Sequence, residues 1–184
     1  MQRCAWVPLD KTDYVLYHDQ EWGVPAHDDR HLFEMLILEG AQAGLNWYTI
    51  LKKRAAYRQA FHDFDPAAVA EMSDEALETL LSNPAIIRNR QKIYAARNNA
   101  RIFLTIQQQY ASFDQYLWRY VDGQPLVNRP RSVHDIPTQS AISIALSSDL
   151  KKRGMRFVGP TILYAYMQAV GMVNDHCLDC FKGL

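Results

Sequence analysis

Apolar residues recur along this chain at helical spacing, and no stretch sustains the strict alternation of a half-buried strand. The clearest run follows Pro25. Asp28 and Asp29 can cap an N-terminus there, and Leu32, Phe33, Met35, Leu36, Ile37 and Leu38 come after them. At about 100° per residue, Glu39 projects near the middle of the apolar arc, between Met35 and Leu32, while Glu34 falls on the opposite side. Gly40 and Gly44 are expected to break this helix, and Gly44-Leu45-Asn46-Trp47-Tyr48 to turn into a second one.

The same reading predicts a helix from Ile50 to Phe61, one capped by Asp65-Pro66 through Met72, and a short one capped by Ser73 through Leu81. A long helix is expected over Ile86 to Gln109, a short one over Phe113 to Val121, and a loop with three prolines from Gly123 to Pro137. Ser140 to Arg153 is helical, Gly154 to Gly159 is a hairpin, and Pro160 opens a last helix that runs to Val170 before Gly171. The N-terminal segment, dense in aromatics but without clean periodicity, reads as mostly irregular with one helical turn. The fold class is all-α.

A chain of 184 residues suffices for one compact domain or two small lobes sharing a core, with no need of disulfides. No apolar run reaches the roughly 18 residues of a membrane span, and MQRCAWVPLD lacks the layout of a signal peptide, so a cytoplasmic protein without a membrane is expected. Formal net charge is zero, which gives no bulk support to a nucleic-acid partner. The charges are nevertheless segregated: acids gather between Asp63 and Glu78, bases in Lys52-Lys53-Arg54, Arg88 to Lys92 and Lys151-Lys152-Arg153. Such segregation permits a basic face, although a run of three charges is also what a solvated helix end looks like.

The inward Glu39 is the first candidate for chemistry. Burying an ionised carboxylate costs several kcal/mol unless a cation, a set of donors or a proton compensates it; a glutamate bonded to backbone at a helix end is the plainer alternative. Trp47, beside a glycine turn, is either a stacking platform or core.

Metal-ligating types stand near both ends: Cys4 and His18 form C-x13-H, and His176 and Cys180 form H-x3-C. The second spacing puts both side chains on one helix face, and two thiolates with two imidazoles close a tetrahedral zinc shell without an open position. A buried free cysteine with a hydrogen-bonded histidine is the alternative for the first pair. Cys177 forms a C-x-x-C with Cys180, which is either a redox pair or another ligand choice. His27, His31, His62 and His134 lie in polar contexts without an evident role.

Several segments together resemble the 3-methyladenine DNA glycosylase I family, nearly end to end. They are Arg3-Cys4-Ala5-Trp6, Tyr17-His18-Asp19, Glu21-Trp22-Gly23-Val24-Pro25, Leu38-Glu39-Gly40, Gln42-Ala43-Gly44-Leu45, Ile86-Ile87-Arg88, Phe157-Val158-Gly159 and Val173-Asn174-Asp175-His176. The resemblance implies one catalytic unit over 1–184 with a helix-hairpin-helix element at about 140–170. It also implies segments 1–25 and 171–184 tied by a structural zinc on Cys4, His18, His176 and Cys180. It implies excision of 3-methyladenine from alkylated double-stranded DNA by a monomer. Glu39 carries over as the residue that recognises the flipped base, with Tyr14, Tyr17 and Trp47 around it. Asn46 departs from the serine expected before the tryptophan, and the tail after Cys180 is short.

On this reading Glu39 offsets its burial against a cationic base, and the rings add cation–π attraction. Asp175 is the nearest counterpart of the catalytic aspartate expected in related helix-hairpin-helix glycosylases. The hairpin would meet the DNA backbone through glycine amides, Gly159 among them, with Lys151, Lys152 and Arg156 supplying charge. Leu45 is a wedge for the gap left by the flipped nucleotide, or a core leucine. Two rival classes remain: a non-catalytic helix-hairpin-helix DNA-binding protein, which has no use for an inward Glu39, and a zinc hydrolase, which needs an open coordination site.

Overall fold

The computed structural model describes residues 1–183, so the last residue of segment 171–184 lies outside it. The chain is mostly helical: α1 (Thr12–Gln20), α2 (Asp29–Gln42), α3 (Trp47–Leu51), α4 (Arg54–Ala60), α5 (Pro66–Ala70), α6 (Asp74–Leu80), α7 (Arg90–Tyr110), α8 (Phe113–Trp118), α9 (Ala141–Lys152) and α10 (Pro160–Ala169). Short polar side chains start most of them. Asp28, Asn46, Asp65, Ser73, Asn89, Ser112 and Ser140 each accept a hydrogen bond from a first-turn amide.

Helix α2 is the axis of the molecule. Every residue from Leu32 to Ala41 is buried, because α3, α7, α8 and α10 all pack on it. That enclosure corrects the placement of Glu34 on a solvent face. It is 5% exposed and tied down by Arg54 Nε at 2.8 Å and Arg58 Nε at 2.7 Å. Burial alone would raise its pKa, but hydrogen bonds from His31, Arg54 and Arg58 outweigh it and hold the carboxyl well below its ordinary range. A helical wheel assumes one wet side, and α2 has none between Leu32 and Ala41.

Other expectations shift for similar reasons. Gly40 does not end α2: a Cβ there would lie 3.2 Å from Phe157 Cβ, so the glycine serves close packing inside the helix. Gly44, with φ at +77°, makes the turn into α3. The expected helix from Ile50 to Phe61 splits at Lys52-Lys53 into α3 and α4. The N-terminal segment holds the nine-residue α1 rather than a single turn; it lacks a side-chain cap and is secured by ring packing, which leaves no periodic signature. Two strands escaped notice. Leu126–Val127 (β1) pairs in parallel with Val173–Asn174 (β2), and two residues are too few for alternation to register. Among the described residues no helix is long and apolar enough to cross a membrane.

Helices α9 and α10 are joined by the short turn 154–159, in which Gly154 has φ at +96°. Asn99 of α7 clamps this turn: its Oδ1 accepts from Arg156 N at 2.9 Å and its Nδ2 donates to Arg156 O at 2.8 Å. Ser147 Oγ donates to Val158 O at 2.7 Å.

Candidate active site

The C-terminal half of α2 carries Glu39 under a group of rings from the N-terminal third of the chain. Helix α1 contributes Tyr14 and Tyr17, and α3 contributes Trp47, oriented by Asn46, whose Oδ1 accepts from Thr49 N at 2.9 Å. Asparagine therefore caps α3 in place of the expected serine. The Tyr17 and Trp47 rings lie 5.2 Å apart at 43°, Trp6 stands 5.3 Å from Tyr14, and Trp22 lies 4.9 Å from Trp6. These rings and Glu39 line a cavity of about 340 Å³, together with the loop around Val133 to Thr138. A second cavity of about 340 Å³ shares Glu39 and Gln42 with it and extends to Leu45 and the first turns of α10. Each is within the roughly 300–1,000 Å³ range of small-molecule sites.

Glu39 is 4% exposed, and burial pushes its pKa up to about 8. Among the described residues, two buried side-chain polar atoms lack a hydrogen-bond partner: Glu39 Oε2 and Trp47 Nε1. Both belong to residues lining the same cavity. Leaving a buried acceptor unpaired costs roughly 1–3 kcal/mol, and more for a charged group, so such orphans ask for a ligand. Tyr17 is raised well above its ordinary range by burial and then by the charge of Glu39; it remains a neutral phenol.

The structure brings the expected metal ligands together. Cys4, His18, His176 and Cys180 are all buried, with one donor atom of each within 4.8 Å of all the others, close enough to hold a metal ion. His18 turns its remaining nitrogen to Asp19 at 2.8 Å and His176 turns its own to Trp22 O at 3.0 Å, which leaves His18 Nε2 and His176 Nδ1 toward the sulfurs. Burial pushes Cys4 up to about 12 and His176 down to about 4, so without a metal the site keeps a thiol and a neutral imidazole. Arg3 holds Asp19 down at about 2. Cys177 stays outside the group, its amide pointing to Cys4 Sγ at 3.5 Å.

The remaining candidates are dispersed. Lys151, Lys152 and Arg156 are exposed around the α9–α10 turn, and Gly159 caps α10. Leu45 is 43% exposed at the lip of the second cavity, which removes it from the core. Asp175 has no exposed surface: Asn128 Nδ2 donates to Oδ1 at 2.8 Å, and Tyr164 OH and Gln168 Nε2 donate to Oδ2 at 2.7 Å. It lines a separate cavity with Asn128 and Tyr164 and is not among the residues lining the ring-walled one.

Sequence reasoning passed over Gln42 and Gln168 on the cavity wall, and Lys92, which lines a separate crevice with Gly40 and Ala41. Lys92 Nζ donates to Ala41 O at 2.8 Å and Ala43 O at 2.6 Å, capping the end of α2. The available signal for Gln168 was a lone amide in the otherwise apolar stretch Ile162 to Val170, one turn after Tyr164.

An unpartnered carboxylate buried beneath tyrosine and tryptophan rings in a helical frame defines a pocket protein for a flat, electron-poor ring. The family described as methyladenine glycosylase matches residues 6–183, and the chain belongs to that family. It is 51% identical over 180 residues to DNA-3-methyladenine glycosylase 1 of Escherichia coli (strain K12), covering 98% of this chain and 96% of the relative. It is 44% identical over 178 residues to DNA-3-methyladenine glycosylase of Haemophilus influenzae, covering 97% and 96%. A solved structure of 3-methyladenine DNA glycosylase I from Staphylococcus aureus, concerned with recognition of 3-methyladenine, superposes with a TM-score of 0.95 at 38% identity, over 100% of this chain and 97% of that one.

Proposed function

We propose that this protein is a DNA-3-methyladenine glycosylase of base excision repair, which turns the damaged nucleotide out of double-stranded DNA and hydrolyses its N-glycosidic bond. The observation that carries the reading is Glu39 Oε2, buried without a partner in a cavity walled by tyrosine and tryptophan rings. Family membership and the two named relatives support it.

Methylation at N3 gives adenine a positive charge and weakens its bond to the sugar, so the base already leaves readily and recognition does most of the work. Glu39, ionised opposite the cation, recovers its desolvation cost, while Tyr14, Tyr17 and Trp47 embrace the ring. Cation–π attraction of roughly 1–2 kcal/mol per ring is absent for unmodified adenine, which gives selectivity without editing. Among the described residues no lysine lines either cavity, so a Schiff-base lyase has no nucleophile there and the enzyme is monofunctional.

Helices α9 and α10 act as a helix-hairpin-helix element. Its Gly154–Gly159 turn offers amides to phosphate, Lys151, Lys152 and Arg156 add charge, and Leu45 enters the gap left by the flipped nucleotide. The whole chain works as a single unit and a monomer.

Zinc fits the Cys/His group. A tetrahedron built on bonds of about 2.3 Å to sulfur and 2.0–2.1 Å to nitrogen has S···N edges of about 3.6 Å. The sulfur-to-nitrogen separations are 3.6 Å for Cys4–His176 and 3.5 Å for both Cys180–His18 and Cys180–His176. Four protein ligands leave no open position, so the metal is structural and ties 1–25 to 171–184. Phe181 N already donates to Gln2 O at 2.9 Å across that seam.

The deciding experiment is the release of free bases from methylated DNA. Recovery of 3-methyladenine above the spontaneous rate supports the reading. DNA binding without release supports the alternative of a non-catalytic binding module.

A further inference from the structure

We infer that the Cys/His group sets one wall of the base cavity, so that a metal held there and a base in the cavity are coupled, each raising the affinity of the protein for the other. The inference rests on the base-excision and zinc readings above and adds to them a link between the two sites.

The cavity takes Trp6, Tyr14, Tyr17 and Trp22 from the segment that carries Cys4 and His18, and its other sides from α2, α3, α10 and the loop around Val133 to Thr138. Two of these rings rest on the imidazoles. Trp22 stands edge-on to His176 with centroids 4.6 Å apart, and its carbonyl accepts from His176 Nε2 at 3.0 Å. Trp6 lies 5.3 Å from His18 and 4.9 Å from Trp22, so it leans on one imidazole directly and on the other through its neighbour. Tyr17 immediately precedes His18 in α1, and Tyr14 lies one turn before it, so a shift of His18 along with its helix is a shift of both tyrosines.

Helix α1 has no side-chain cap, and the segment is bonded to the C-terminal part of the chain near its two ends, Phe181 N to Gln2 O and Gly23 N to Gln168 O, both at 2.9 Å. Between those ends it docks through ring contacts, the Glu21–Arg54 ion pair and the Cys/His donors. Sulfur and imidazole on their own make weak hydrogen bonds, whereas ligation fixes all four donors in one tetrahedron and the rings with them. The α9–α10 turn is secured separately, by Asn99 and Ser147. A base selects the ordered wall, and by linkage the factor that the metal adds to base affinity equals the factor that the base adds to metal affinity. His18 and His176 are thus positioning residues for the cavity.

The test compares zinc-loaded with zinc-free full-length protein, each titrated calorimetrically with free 3-methyladenine and, separately, with undamaged duplex DNA. Removing the metal should raise the dissociation constant for 3-methyladenine about tenfold and leave duplex binding in place. In the reciprocal measurement, saturating 3-methyladenine should raise by the same factor the concentration of chelator that extracts half the zinc at equilibrium, and duplex DNA should not move it.

The same base affinity with and without zinc, or a chelator midpoint indifferent to the base, would overturn the coupling. So would a loss of base and duplex binding together, because the metal would then hold the whole fold and not this wall. Protein that takes up no zinc overturns the zinc reading instead, and zinc-loaded protein that releases no 3-methyladenine from methylated DNA overturns the base-excision reading.

Discussion

Tyr17 and Trp47, brought together from α1 and α3, face each other at 5.2 Å with their planes 43° apart, so the pair forms an open notch rather than a stack. Trp47 Nε1 and Glu39 Oε2 are left without partners at its base. A site that retains two unsatisfied polar atoms in a well-packed core is held in readiness for something that completes it.

The first prediction concerns Glu39. Its pKa of about 8 arises from burial, so kcat/KM for 3-methyladenine should fall as pH drops through that value and the free enzyme takes up a proton. Glu39→Gln should excise the base more slowly by about one to three orders of magnitude, since a charge-assisted bond and part of the cation stabilisation are lost, and should show no such inflection. The folded carboxyl keeps a proton that the unfolded one, with an ordinary value of 4.5, has released. The parent should therefore lose stability relative to Glu39→Gln as pH rises from about 4.5 to about 8. Melting temperatures of both proteins at the two ends of that window check it. A constant difference, or parent-rate excision by the variant, would return Glu39 to the ordinary core.

One equivalent of zinc should accompany protein purified without chelator. Its removal should lower the melting temperature and expose the seam between Gln2 and Phe181 to proteolysis. Metal analysis showing less than half an equivalent, or unchanged melting after chelation, counts against a structural zinc.

Arg156 should contribute one phosphate contact, because its backbone is clamped by Asn99 while its side chain is exposed beside Lys151 and Lys152. Arg156→Ala should flatten the plot of log affinity against log salt by about one unit. An unaltered slope removes it from the interface.

Lys92→Met deletes the two bonds that close the end of α2. Denaturant titration should show a loss of about 1–2 kcal/mol. Lys53→Met, which removes a single bond to Pro84 O on the surface, should cost less than half of that. Equal losses would mean that the α2 carbonyls are not the reason Lys92 matters.

The sequence revealed Glu39 because a carboxylate in an apolar arc is visible to any helical count, and it revealed the clustered Cys4, His18, His176 and Cys180 because few residue types suit a metal and their spacing is limited. Glu34 was misplaced by the same count. Its neighbours Arg54 and Arg58 lie 20 and 24 positions away, and only the packing of α4 on α2 brings them in. Gln168 and Asp175 went unpaired in the sequence because a glutamine ending an apolar helix gives no sign of where its amide points. The short parallel pairing of Leu126 with Val173 was illegible for a different reason: strand periodicity needs more than two residues to exist.

Gly40 adjoins Glu39 in sequence and touches Phe157 of the α9–α10 turn in space, with room for no side chain between them. The part of the molecule that would read the base and the part that would ride the phosphates are consequently packed back to back through that contact. So joined, the two parts would act as a caliper, engaging together a nucleotide swung out by a set distance.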